Sequence, residues 1–395
     1  MHSSRVSVAD ERVVGWPCEF CPLTQACCVV SVPSASQILG SHNMTVRAFS
    51  LILQCLCTAT FLLAPQARSL RSPPLPLAKR QSPTPVIIDT DIGSYIDDSY
   101  ALAFALQSSE LDIQLIVTAT DDTLMRAKIA AKFLTVAGRE AIPIGVGAPN
   151  SNLTNHTLWS WAKDFNLSDY KGEVLQNYED TFDRMNSIIN SSDQVVEIIG
   201  LAPFVNFPYL LEKWPNVVHN ARVRTMAGSI FRGYDNSTTP TAEYNVRLCP
   251  SCFNLLLRAN WAHKVWLAPL DTSGVMNLPP EDIQELVTAS NGLSIGLTEH
   301  TLFWCTAGVI PCHLDVSTVA LPDTVAVLLT LPVAPSLVEM HTMILLATED
   351  GRTISDTMGA AALVALNWWE NPAGLNKFTQ YLTDVLVQGA PYTKD

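Results

Sequence analysis

Short apolar runs alternate with segments of helical periodicity along most of the chain after residue 84. Each apolar run is four to seven residues long and ends near polar or turn-forming residues, as in buried parallel strands. Strands are predicted at 85–89, 115–120, 142–146, 195–201, 223–227 and 264–268. Helices are predicted at 99–107, 124–137, 209–214, 252–259 and 280–289. Strands that alternate with helices indicate an α/β fold: one domain, 85–395, with a doubly wound, mostly parallel sheet flanked by helices.

The amino-terminal 84 residues have a different pattern. No charged residue lies between Ala48 and Ala67, and Met44 and Arg47 precede this apolar stretch, as in a secretory signal peptide at 44–67. Residues 1–43 are then an extension from a mis-assigned upstream start, and 68–84 form a Pro-, Ser- and Lys/Arg-rich linker or pro-segment. The alternative is a genuine extension with a signal anchor. We expect a secreted protein.

Composition and charge exclude several classes of protein. The chain is 48% hydrophobic and 15% charged, which excludes a disordered or fibrous protein. The net charge is −13 overall and −17 over residues 81–395, because the first eighty residues are basic. Such an acidic domain repels phosphate backbones and anionic lipids, so nucleic acid and stable membrane association are disfavoured.

Sequons and cysteines agree with the secretory route. Beyond the linker, five Asn-x-Ser/Thr sequons predict a glycoprotein: Asn152, Asn155, Asn166, Asn190 and Asn236. Six of the ten cysteines precede residue 58, and four remain in the predicted domain: Cys249, Cys252, Cys305 and Cys312. Structural disulfides or buried thiols are preferred for these four over a zinc site, because the spacing of the pairs is irregular.

Four carboxylates lie within ten residues at the carboxyl end of the first predicted strand: Asp89, Asp91, Asp97 and Asp98. Ligands of doubly wound sheets bind at the carboxyl ends of the strands. Because like charges repel, a hard divalent cation with oxygen ligands, Ca²⁺ or Mg²⁺, would explain the cluster. The alternative is a solvated acidic turn in which an Asp caps the next helix.

The segment from Asp89 to Asp98, Asp-Thr-Asp-Ile-Gly-Ser-Tyr-Ile-Asp-Asp, resembles the opening signature of the nucleoside hydrolases, Asp-Thr-Asp-Pro-Gly-Ile-Asp-Asp. Further motifs follow in the family's order. They are 202–206 for Gly-Pro-Leu-Thr-Asn, 226–228 for Met-Gly-Gly, 242–245 for Ala-Glu-Phe-Asn and 322–323 for His-Asp. The resemblance covers most of 85–395.

The resemblance implies a calcium-dependent enzyme that hydrolyses the N-glycosidic bond of ribonucleosides to ribose and free base. Asp91 would bind Ca²⁺ and accept a proton from the attacking water. The further implied metal ligands are Asp98, Asp323 and the main-chain oxygen of Val205. The implied substrate-binding residues are Asp97, Asp122, Met226, Ser237, Glu243 and Asn245, with Asp121 a second register for Asp122. Asn245 as a helix cap, Met226 as core and Glu243 as a surface acid stay open.

Departures from the family pattern fall on the side of the base. Pro322 replaces the His that assists the leaving base in many members, Ser237 replaces an Asn, and Tyr95 stands where longer loops often carry an acid. Leaving-group activation must come from elsewhere, and His300, Trp304 and His313 are candidates for a proton or a stacking face. The resemblance does not favour any particular ribonucleoside, and it implies a homo-oligomer.

Two other functions stay open. Asp-Thr-Asp after an apolar strand is also typical of haloacid-dehalogenase-like, Mg²⁺-dependent phosphohydrolases, although Ile92-Gly93 breaks that motif and the Asp97-Asp98 pair has no role in it. A nucleoside-binding protein that lost catalysis through the Pro322 change is the other alternative.

Overall fold

A ten-stranded sheet runs through the protein in a computed structural model that describes residues 82–148, 158–289, 291–307 and 313–388. The order is β4-β3-β2-β1-β5-β6-β7-β10-β8-β9. The strands are β1 Thr84–Thr90, β2 Leu111–Thr118, β3 Ile144–Gly145, β4 Val174–Leu175, β5 Val196–Gly200, β6 Ala221–Met226, β7 Trp266–Ala268, β8 Val338–Ala347, β9 Thr353–Ser355 and β10 Ala360–Trp368. Strands β1 to β7 pair in parallel, β10 joins β7 in parallel, and β8 and β9 are antiparallel additions.

Helices cover both faces of this sheet. They are α1 Asp97–Gln107, α2 Thr123–Val136, α3 Trp159–Ala162, α4 Tyr178–Ser191, α5 Asn206–Lys213, α6 Tyr244–Leu248, α7 Pro250–Arg258, α8 Leu270–Ser273, α9 Pro280–Thr288, α10 Gly292–Thr306, α11 Asp323–Leu328 and α12 Ala373–Gln388. One core lies between the sheet and α1, α2 and α9 to α12, and a second lies under α4, α5 and α7. The predicted fold class, a doubly wound and mostly parallel α/β sheet, is confirmed.

The topology places a crevice next to β1. The chain moves from β1 outward to β4 on one side and returns through β5, β6 and β7 on the other. Loops that leave β1 and β5 therefore diverge at their carboxyl ends, which is where open α/β sheets bind ligands. The Asp-rich segment follows β1 directly.

The predicted elements are present, with ends shifted by a few residues. Helix α1 begins at Asp97 and not at Ser99, so both Asp97 and Asp98 lie in its first turn. Helix α4, helix α10 and the carboxyl-terminal unit of β8, β9, β10 and α12 had no counterpart among the predictions.

Several predictions concern residues outside the described ranges: the leader at 1–81, the sequons Asn152 and Asn155, and Cys312. The proposed domain boundaries stay predictions. No helix within the described part of the chain is long and apolar enough to cross a membrane.

Cys249 and Cys252 form a disulfide, which rules out the zinc alternative for this pair. Cys305 is also disulfide-bonded.

Candidate active site

A cavity of about 570 Å³ opens at the carboxyl ends of β1, β5 and β6. Its described lining unites most of the predicted site residues: Asp91, Asp97, Asp98, Met226, Glu243, Asn245 and Asp323. Tyr95, Tyr234, Asp235, Tyr244 and Pro322 line it as well. The cavity is therefore acidic at its base, with several aromatic rings in its walls.

Asp91 stands on the turn that leaves β1. Gly93 in this turn has φ +119°, and a Cβ there would lie 2.6 Å from Ile129 Cδ1, so the position requires glycine. Thr90 Oγ1 accepts a hydrogen bond from the Ile92 amide at 3.1 Å and donates to Asp98 Oδ1 at 2.5 Å. The turn thus connects the end of β1 to the start of α1.

A buried arginine that the sequence did not single out holds the same turn. The Arg126 side chain is fully buried and donates to the main-chain oxygens of Asp91, Ile92 and Thr120. Its Nη2 lies 3.0 Å from Asp121 Oδ2 and 3.9 Å from Asp91 Oδ2. Because five N–H donors in one plane can serve several acceptors, Arg126 fixes the backbone of the Asp91 turn and places a positive charge beside its carboxylate.

Three buried carboxylates come close enough to share one cation. Oxygens of Asp97, Asp98 and Asp323 lie within 4.8 Å of one another. Asp97 and Asp98 occupy the first turn of α1 and Asp323 the first turn of α11, and these two helices pack together. Helix amino termini favour negative charge, which explains why the chain can gather three acids here.

Burial is the main cause of the raised pKa values in this cluster. It raises the pKa of Asp97 from 3.8 to about 7, and the nearby charge of Asp91 adds to the effect. Burial also raises the pKa values of Asp98 and Asp323 well above 3.8, helped by the neighbouring carboxylates. Without a cation, the cluster therefore retains protons near neutrality.

Glu243 and Asn245 also line the cavity. Glu243 caps α6 and accepts hydrogen bonds from the amides of Asn245 at 2.7 Å, Gly228 at 3.0 Å and Val246 at 3.2 Å. Asn245 Nδ2 donates to the main-chain oxygens of Leu201 and Met226 at 2.9 and 3.2 Å, which leaves Oδ1 as its acceptor. Glu243 is thus a buried cap, not a surface acid, and both side chains are fixed before any ligand binds.

Three predicted residues are not among the described residues that line this cavity: Asp122, Ser237 and Val205. Asp122 caps α2 by accepting from the Met125 amide at 2.9 Å, and it lines a separate cavity of about 420 Å³. Positive φ angles at Thr120 and Asp121 shape the backbone between β2 and this cap, and the ribose contact of Asp122 stays a prediction.

Asp121, the other register, pairs with Arg126, whose Nη2 also lies 3.9 Å from Asp91 Oδ2, and its ribose contact stays a prediction. Ser237 is exposed at the end of the 3₁₀ turn Tyr234–Asn236. Val205 is the half-buried cap residue before α5. The contacts predicted for Ser237 and Val205 stay predictions.

The candidates for leaving-group activation are not among the described residues that line the cavity. His300 is fully buried between the Trp161 and Phe133 rings, and its Nδ1 lies 2.8 Å from Ser99 Oγ. Burial lowers the pKa of His300 to about 3, so its imidazole is neutral at physiological pH. Trp304 is 2% exposed and lies behind Tyr95, while His313 is on the exposed surface.

Comparison with known proteins agrees with this arrangement. Residues 86–384 match the inosine-uridine preferring nucleoside hydrolase family. The non-specific ribonucleoside hydrolase RihC of Salmonella typhi is 26% identical over 226 residues, which cover 55% of this chain and 70% of that protein.

Solved structures show the same fold. A plant nucleoside hydrolase has a TM-score of 0.62 at 19% identity, and the match covers 77% of this chain and 99% of that one. A purine-preferring ribonucleoside hydrolase from Gardnerella vaginalis has a TM-score of 0.60 at 18% identity, covering 77% and 100%. The family match spans nearly all of the described chain, and the carboxylates that carry the family signature meet in one cavity. The chain therefore belongs to the inosine-uridine preferring nucleoside hydrolase family.

Proposed function

We propose that this protein hydrolyses the N-glycosidic bond of ribonucleosides, with a calcium ion held by the buried carboxylates. The observation that carries the proposal is the cavity itself. Its lining unites carboxylates suited to a cation with fixed acceptors for sugar hydroxyls. The same family membership argues against the phosphohydrolase alternative.

The carboxylate cluster fits a hard divalent cation. Asp97, Asp98 and Asp323 offer only oxygen ligands, and their protons are bound more tightly than in water because the site is buried. Asp91 lines the same cavity and its charge acts on all three, so it would complete the ligand set. A bound divalent cation lowers the pKa of a water molecule and offsets the negative charge of these ligands.

Asp91 is the proposed general base. It lies next to the cluster, and the Arg126 network fixes its main chain. A carboxylate in this place can accept the proton of the attacking water as the glycosidic bond breaks through an oxocarbenium-like state. Asp91 would therefore combine metal binding with proton transfer.

The sugar would lie between the cluster and α6. Glu243 and Asn245 Oδ1 are acceptors, and a vicinal diol presents two donors to them. Both groups are already oriented by backbone hydrogen bonds, so little ordering is required on binding. Met226 at the end of β6 would pack on the apolar face of the ribose.

Tyrosines would take the place of the missing histidine beside the departing nucleobase. Pro322 lines the cavity but has no ionisable group. Burial raises the pKa values of Tyr95 and Tyr234, so both hydroxyls keep their protons at neutral pH. Tyr234 Oη accepts from the Tyr244 amide at 2.8 Å, which leaves its own proton for the departing base.

Release of ribose from a panel of ribonucleosides tests the proposal. We expect reducing sugar to appear with at least one purine or pyrimidine riboside, to stop after chelation of divalent cations, and to return with Ca²⁺. Arg184→Met is the matched control, because Arg184 forms an exposed ion pair with Glu173 and does not line the cavity, and it should retain wild-type turnover. Binding of nucleosides without release of base would instead favour the non-catalytic alternative.

We also propose that the mature protein is secreted and glycosylated. Asn166, Asn190 and Asn236 are exposed, which is compatible with glycans at these sequons. A mature amino terminus after residue 67 and a mass decrease on treatment with an N-glycosidase are expected from protein secreted by a eukaryotic host. Retention of residues 44–67 in the secreted protein would contradict cleavage at this site.

A further inference from the structure

The Cys249–Cys252 disulfide closes a loop of four residues, Cys-Pro-Ser-Cys, at the start of the nine-residue helix α7. A crosslink stabilises a fold less when its loop is short, because it removes less entropy from the unfolded chain. The residues on either side of this loop also already belong to α6 and α7. Global stabilisation is therefore a weak reason for a bond at this place.

The two sulfurs have different surroundings. Cys249 is half-buried, whereas Cys252 is 9% exposed and packs in the core under α7. The Cys252 amide donates to Cys249 Sγ at 3.3 Å, and Ser251 Oγ lies 3.6 Å from the same sulfur. A helix amino terminus and a nearby N–H donor stabilise a thiolate, and the Cys-x-x-Cys spacing acts in the same direction.

We propose that Cys249–Cys252 is an exchange-active disulfide, with Cys249 as the sulfur that reacts with small thiols and dithiols. The thiolate of a dithiol attacks Cys249 Sγ, the sulfur–sulfur bond breaks, and Cys252 leaves as a thiolate. The second thiol of the reagent then attacks the reagent sulfur that is bonded to Cys249. This step closes the oxidised reagent and releases Cys249. Two electrons pass from the dithiol to the protein, and the two dithiol protons end on Cys249 and Cys252.

The bond lies next to the sugar-binding wall. Cys249 is both the C-cap residue of α6 and the N-cap residue of α7, and its non-helical backbone (φ −147°, ψ 77°) separates the two helices. Glu243 is the N-cap residue of α6 and Asn245 lies within it, six and four residues before Cys249. Opening the disulfide would remove the covalent restraint at the junction between α6 and α7. We therefore expect weaker sugar binding in the reduced protein. This second step rests on the proposed function.

Peptide-resolved alkylation of the folded full chain tests the exchange chemistry. With increasing dithiothreitol and no denaturant, Cys249 and Cys252 should become alkylated while the disulfide of Cys305 stays closed, which makes Cys305 an internal control. Opening of both disulfides only when the protein unfolds would overturn the proposal.

A matched pair of variants identifies the reactive sulfur. Cys252→Ser leaves Cys249 free and should form a mixed disulfide with oxidised glutathione at least tenfold faster than Cys249→Ser does at Cys252. Equal rates, or a faster Cys252, would contradict the assignment. Both variants lack the Cys249–Cys252 disulfide. A loss of stability caused by its absence therefore affects both proteins and does not explain a difference between their rates.

Kinetics on ribonucleosides test the connection to the site. Reduction should raise KM several-fold, reoxidation should restore it, and the double variant Cys249→Ser, Cys252→Ser should not respond to reductant. An unchanged KM in the fully reduced protein would refute the connection. No turnover in either redox state would refute the proposed function, while the alkylation results would still decide the exchange chemistry.

Discussion

Replacement of Arg126 by methionine should destabilise the protein strongly. The guanidinium is fully buried and lies 3.0 Å from the Asp121 carboxylate and 3.9 Å from that of Asp91. Removing one member of a buried ion pair costs about 3–5 kcal/mol, because the remaining charge is left without compensation. At roughly 2 °C per kcal/mol for a domain of this size, the melting temperature should fall by about 6–10 °C.

The same substitution should reduce turnover. Arg126 also binds the main-chain oxygens of Asp91 and Ile92, so its loss frees the turn that carries the proposed base. We expect kcat to fall at least tenfold, with a smaller loss in Arg126→Lys, which keeps the charge but not the planar set of donors.

Thermal unfolding and ribose release of the purified variants check both effects. Arg184→Met is the matched control, since Arg184 forms an exposed ion pair with Glu173 at 2.8 Å. Exposed pairs contribute about 1 kcal/mol or less, so this variant should melt within about 2 °C of the wild type and keep its activity. If Arg126→Met behaves like Arg184→Met, the structural reasoning about Arg126 is refuted.

Three further predictions concern the acids around the cavity. Because burial raises the pKa of Asp97 from 3.8 to about 7, the folded metal-free protein binds more protons than the unfolded chain between these values. Its stability should fall as pH rises from 4 to 7, while stabilisation by Ca²⁺ grows; thermal melts that rise with pH in chelator would contradict this. Glu243→Gln keeps the shape but weakens the acceptor, so KM should rise about tenfold in initial-rate assays; an unchanged KM would remove Glu243 from the sugar site. Asp122→Ala removes a helix cap and should cost about 1 kcal/mol in urea unfolding while turnover stays normal; a large loss of turnover would instead support its predicted ribose contact.

Local sequence patterns predicted the parallel strands β1, β2, β3, β5, β6 and β7 and the acidic turn after β1 well, because both depend on neighbours along the chain. Apolar runs that end in acids mark strand ends, and the Asp97-Asp98 pair lies where a helix amino terminus accepts negative charge. These features are decided within a few residues. These features are therefore present even though this chain departs from the family pattern at other positions.

Non-local contacts decided what the sequence could not predict. The role of Arg126 depends on a turn 34 residues earlier in the chain, and no local pattern marks it. The cap that Asp122 forms on α2 follows a left-handed backbone at Thr120 and Asp121, which is not visible in residue types. His300 lies on α10, a helix without a clear apolar stripe, and tertiary packing alone makes it a core residue.

The antiparallel strands at the carboxyl end were missed for a related reason. Strand β8 has several exposed positions in its centre, so its burial pattern does not give a simple alternation. Its pairing with β10 over eight residue pairs stabilises the strand, although its pattern of buried and exposed positions does not indicate one.

Calcium binding and ribose release by Asp91→Ala test the central claim most directly. The account predicts that calorimetry detects no calcium binding at concentrations that saturate the wild type, that ribose release is lost, and that the circular dichroism spectrum is unchanged. Hydrolysis at the wild-type rate by a folded Asp91→Ala protein would contradict the assignment of Asp91 and, with it, the proposed mechanism.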